Sequence, residues 1–120
     1  MDLVNAQRAK YGLTALEMGD DDLTAAAQTR AEEIAVVNSH VRPDGSKCFT
    51  VLKDYGVTDT PTGENAAWGS VSPEEVVNAW MNSEGHRANI LNPEARKMSV
   101  GYYYNSNSTW GHQWIQIFTK

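Results

Sequence analysis

Apolar positions fall on helical stripes through the first two thirds of the chain and alternate at its end. Leu3, Val4, Gln7 and Tyr11 share one side of a short helix that stops at Gly12, a suitable residue just past a helix end. A longer helix follows in DDDLTAAAQTRAEEIAVVN. Aspartates cap its start, and Leu23, Ala26, Ala27, Ala31, Ile34 and Ala35 recur at three- and four-residue spacing. Pro43, Asp44 and Gly45 then carry turn chemistry, which ends regular structure after Asn38. Thr50 to Tyr55 reads as a short helix stopped by Gly56, and TDTPTGENAAWG reads as a loop entering a brief extended piece.

SPEE is a capping-box pattern with proline at the first helical position. It starts a helix at Ser72 that runs to about Ser83, with Val76, Val77, Trp80 and Met81 on its inner stripe. A second short helix is expected from His86 to Leu91, ahead of Asn92-Pro93. Beyond it Met98, Val100, Tyr102 and Tyr104 occupy one face of a strand. NSNSTWG makes the turn, and Trp114, Gln116 and Phe118 oppose Ile115 and Ile117 on the returning strand. A hairpin with apolar residues on both faces belongs inside a layered α+β domain.

Composition narrows the function classes. At 120 residues, without internal repeats or low-complexity tracts, residues 1–120 read as a single domain, and the 41% hydrophobic fraction is ordinary for a globular one. No stretch approaches the ~18 consecutive apolar residues of a membrane span. The net charge is -5 and the basic residues are scattered, so no nucleic-acid footprint is visible. One cysteine, Cys48, excludes an internal disulfide and any multi-cysteine zinc site, and reads as a small buried hydrophobe. Asp2, Arg8, Lys10 and Glu17 interrupt the first 20 residues, which therefore lack the apolar core of a signal peptide.

The candidate chemistry lies with the three histidines. His40 follows the long helix and His86 follows another, both in turn-rich surroundings, while Glu64 comes just after Gly63, where a backbone can approach closely. Two imidazoles and a carboxylate suit a zinc ion with an open position, or a general base with an orienting acid. Ser39 is a poor partner for His40, because neighbours on an extended chain point to opposite sides. His112, beside Gly111 in the hairpin, reads as structural. Trp80 and Trp114 read as core, while Trp68 and Trp110, next to glycines, are open to either an exposed or a packed role.

The segments NAQRAKYGL, SHVRPDG, GENAAWG, VVNAWMNSEGHRANIL, SVGYYY and WIQIF, in this order over nearly the whole chain, resemble the bacterial branch of the CAP superfamily. Its domain, also called the SCP domain, is shared by cysteine-rich secretory proteins, antigen 5 and pathogenesis-related 1 proteins. The resemblance implies a three-layer α/β/α sandwich with a small antiparallel sheet, acting as a monomer and exported or held at the cell surface. It also implies a cleft of two histidines and two acids that holds zinc or another divalent cation in some members. His40, Glu64 and His86 match three of the four. The second acid of the animal and plant branch falls at Ser83, with Glu84 one position further on as the fourth candidate, where bacterial relatives often carry proline.

Two functions follow from the resemblance. One is a non-catalytic extracellular binding module whose cleft takes a cation or small ligand, with lipid, sterol, peptide or cell-wall components as partners. The other is a hydrolase acting on peptide or cell-wall substrates through His40, Glu64 and His86, although no nucleophile with an adjacent base is evident.

Overall fold

The computed structural model describes residues 1–108 and 110–120. Helix α1 (Asp2–Lys10) leads into the two-residue strand β1 (Glu17–Met18), the long helix α2 (Asp21–Val36) and the short helix α3 (Thr50–Asp54). Strand β2 (Pro61–Trp68), helices α4 (Pro73–Met81) and α5 (Glu84–Ile90), and strands β3 (Lys97–Tyr104) and β4 (His112–Thr119) complete the chain. The sheet order is β1-β3-β4-β2, with β2, β4 and β3 antiparallel and β1 parallel to β3.

This is an α/β/α sandwich, and its small sheet is mixed rather than wholly antiparallel because of β1. The alternation read at the chain end becomes two cores. Trp114, Phe118 and Met98 pack with Val4, Val76, Trp80 and Ile90 beneath α1, α4 and α5. Ile115, Ile117 and Ala66 pack on the other face with Leu23, Ala27 and Ile34 of α2 and Val51 of α3. The expected hairpin closes with Tyr104 opposite His112 and Tyr102 opposite Trp114. Its turn is seen at 105–108, 110 and 111, whereas Thr109 lies outside the described residues.

Local chemistry accounts for the element ends. The Asp20 carboxylate accepts from the Leu23 amide at the start of α2, and Ser72 Oγ accepts from the Glu75 amide at the start of α4. No return bond from the Glu75 side chain accompanies it among the described residues, so half of the reciprocal capping box forms. The first-helix stripe is also shifted. Tyr11 is exposed, and the inward positions are Val4 and Arg8, whose guanidinium donates to the carbonyls of Thr14, Ile90 and Asn92.

The extended piece expected around 61–69 is an eight-residue strand, β2. Proline is tolerated at 61 because it begins a strand at the sheet edge. The flank of β2 that lacks a neighbouring strand is covered by helices. Trp80 Nε1 donates to the Ala66 carbonyl at 3.1 Å, and Asn89 Nδ2 donates to the Glu64 carbonyl at 3.3 Å. Gly63 makes room for this cover, since a Cβ there would sit 2.5 Å from Asn89 Oδ1. On the opposite face, a Cβ at Gly101 would run into the backbone of α2 at Ala27, so α2 lies directly on the sheet.

Candidate functional site

Successive residues of a strand point to opposite faces, and Glu64-Asn65 uses both. Glu64 turns toward α2, where its buried carboxylate meets a buried guanidinium. Arg30 Nε donates to Oε2 at 2.8 Å and Arg30 Nη2 to Oε1 at 3.0 Å. The same Oε1 lies 2.8 Å from His40 Nδ1. Asn65 turns the other way, donating to the His86 carbonyl and to Gln116 Oε1, both at 3.1 Å, and accepting from Asn89 Nδ2 at 2.9 Å. One dipeptide thus anchors both the loop that carries His40 and the helix that carries His86.

The His40 loop is pinned from several sides. Arg30 Nη2 donates to the Ser39 carbonyl. Arg42 bridges Glu33 and Asp54 at 2.7 and 2.8 Å, and Glu33 also pairs with Arg30. Ser39 Oγ accepts from the Val41 amide rather than serving His40. Cys48 is buried in the same loop, and a ligand atom each from His40, Cys48 and Glu64 lie within 4.8 Å of one another.

Electrostatics follow from these contacts. Burial alone would push the Glu64 carboxyl up, but the hydrogen bonds from His40 and Arg30 and their charge hold it below its usual value. Its hydrogen bond to Glu64 raises His40, against the pull of burial and of Arg30. Burial lowers His86, and so does the positive form of His40. The Cys48 thiol is pushed up to about 11 by burial and by the Glu64 charge, so at neutral pH it is a protonated thiol and a weak nucleophile.

His86 is set differently from His40. Its Nδ1 lies 2.9 Å from Ser83 Oγ, so the serine hydroxyl orients this ring. Glu84 sits exposed in the first turn of α5, and neither it nor His86 enters the close cluster of His40, Cys48 and Glu64. His112 Nδ1 bonds the Tyr102 hydroxyl at 2.6 Å in the hairpin. Trp80 and Trp114 are core, Trp68 is half-buried with its indole on the Ile34 carbonyl, and Trp110 is exposed.

The donor set constrains any cation. Both Glu64 oxygens already receive Arg30, and a divalent ion among Glu64, Cys48 and His40 would face a guanidinium and a protonated thiol. His40, Cys48 and Glu64 could still gather on an ion that deprotonates the thiol and competes with Arg30 for the carboxylate. With His40 Nδ1 on Glu64 and His86 Nδ1 on Ser83, the Nε2 atoms of both rings make no hydrogen bond among the described residues.

A small mixed sheet between helical layers is the architecture of an SCP-type domain. The profile of the cysteine-rich secretory protein family, CAP, matches residues 1–118, and the chain belongs to that family. It is 42% identical over 117 residues to the uncharacterized protein YkwD of Bacillus subtilis, covering 96% of this chain and 45% of that protein. An extracellular protein containing a SCP domain from Bacillus anthracis superposes with a TM-score of 0.85 at 27% identity, over 99% of this chain and 38% of that one. An outer surface protein from Borrelia burgdorferi superposes with a TM-score of 0.79 at 26% identity, over 99% of this chain and 87% of that one. The chain thus spans less than half the length of YkwD and of the Bacillus anthracis protein. Among the described residues no helix is long and apolar enough to cross a membrane.

Arg30, Asn65 and Asn89 escaped the sequence reading, and Ser83 was singled out only as the position of an acid, not as the partner of His86. For Arg30 a signal existed, because it lies three residues after Ala27 and four before Ile34, on the inward stripe of α2.

Proposed function

We propose that this chain is a binding module displayed outside the cell or at its surface, and that its cleft takes a small ligand through a divalent cation held by His40 and His86. The observation that carries this reading is the tethering of both rings by Nδ1, one to a buried, charge-balanced carboxylate and one to a serine hydroxyl. Fixed rings offer Nε2 to a cation with little ordering cost. Two imidazoles leave half the positions of a four-coordinate zinc ion open, as suits a metal that engages a ligand rather than one that staples the fold. The printed descriptions of the Bacillus anthracis and Borrelia proteins as extracellular and outer surface support the location.

The hydrolase reading has less support. Glu64 is bound to Arg30 and held ionised below the range of a general base working near neutrality, and the neighbouring thiol is protonated. Calorimetry with zinc tests the proposal: one site per chain is expected, lost in His40→Ala and in His86→Ala. Zinc binding of undiminished affinity in both variants, or no heat with folded wild type, would overturn it.

A further inference from the structure

A concavity of 380 Å³ opens between α3 and the approach to β2, bordered by Lys47 and Phe49 on either side of Cys48. That volume is typical of a small-ligand site, about 300 to 1,000 Å³. Its floor is apolar, formed by Phe49, Leu52, Val57 and Pro61. Lys47 and Lys53 stand at its wall, both exposed, and among the described residues neither enters an ion pair. Asp59 also lines the groove, but its carboxylate faces Lys97 at 3.4 Å. In a chain of net charge -5, this places two uncompensated ammonium groups over an apolar surface.

The backbone supplies a third feature. Residues 58–60 belong to no helix or strand, and among the described residues the amides of Thr58, Asp59 and Thr60 find no acceptor within the chain. This contrasts with β2 beyond it, whose free flank is covered by Trp80 and Asn89. The Thr60 carbonyl is taken by the Lys120 amide at 2.9 Å, but unpaired main-chain donors beside an apolar floor are a surface an extended peptide can pair with.

We infer that this groove binds the C-terminal end of a peptide, with an apolar last residue on the Phe49 and Leu52 floor and its carboxylate between Lys47 and Lys53. A chain terminus is the occupant that places an apolar side chain and an anionic group on one residue while offering main-chain acceptors to 58–60. The inference is independent of the cation cleft.

Nuclear magnetic resonance titration of the isotope-labelled chain tests it, with acetylated Ala-Val-Phe bearing a free carboxylate as the probe. Saturable shifts are expected at the amides of Thr58, Asp59 and Thr60, with affinity at least tenfold weaker for the amidated tripeptide. The double variant K47E/K53E, at exposed positions, should keep its spectrum elsewhere and lose the binding. Equal affinity for acid and amide, or shifts that map away from the groove, would overturn the assignment. Sodium hexanoate binding as well as the tripeptide would also overturn it, because the groove would then recognise an anionic amphiphile without reading a peptide.

Discussion

Glu64 keeps a negative charge where water scarcely reaches because Arg30 lies against both of its oxygens. Removing one partner of such a pair strands the other, so Glu64→Gln should destabilise the fold by about 3 to 5 kcal/mol in chemical denaturation. A loss under about 1 kcal/mol would show that the guanidinium finds compensation elsewhere. The pH dependence follows from the directions of the shifts. His40 is raised in the fold, so its contribution is full below its unfolded pKa of 6.5 and is lost as pH rises through the higher folded value. Glu64 is lowered, so its contribution is present above 4.5 and is lost as pH falls through the folded value. The stability gap between wild type and His40→Gln should therefore be widest between about pH 4.5 and 6.5 and narrow toward pH 9; a gap constant across that range would refute the coupling. His40, Glu64 and His86 were legible as candidates from their turn and glycine contexts. Arg30 was not, because charge is ordinarily read as solvent-facing, and only the stripe shared with Ala27 and Ile34 reveals its burial.

At the scale of elements, α4 joins sequence signal to sheet protection. Ser72 caps it, so Ser72→Ala should cost about 1 kcal/mol, and an unmoved denaturation midpoint would dismiss the cap. Trp80 is 2% exposed and also hydrogen-bonds the edge of β2. Trp80→Ala should cost about 3 to 5 kcal/mol, measurable in the same denaturant series. The helices were legible because their stripes, caps and glycine stops agree with one another. Strand β2 was legible only in part. Its two ends, Pro61 and Trp68-Gly69, look like loop chemistry, and its regularity comes from pairing with β4 from Gly63 to Trp68, which no local pattern announces. Strand β1 is two residues long and exists through its pairing with β3.

Across the whole molecule, β4 belongs to both cores, with Trp114 and Phe118 on one side and Ile115 and Ile117 on the other. Neither helical layer can leave without exposing the strand that the other needs. Tryptophan fluorescence of a W68F/W110F variant, which keeps only Trp80 and Trp114 of the first core, and far-ultraviolet circular dichroism, which is weighted to α2, should therefore show one coincident transition. Separated midpoints would mean that the layers unfold independently. The cover laid over β2 by Trp80 and Asn89 reaches further than the single chain. A sheet whose flank is sealed by its own side chains gives a neighbouring molecule no row of amides to zip onto. At high concentration such domains should meet along β2 as hard, separate bodies instead of growing into ribbons.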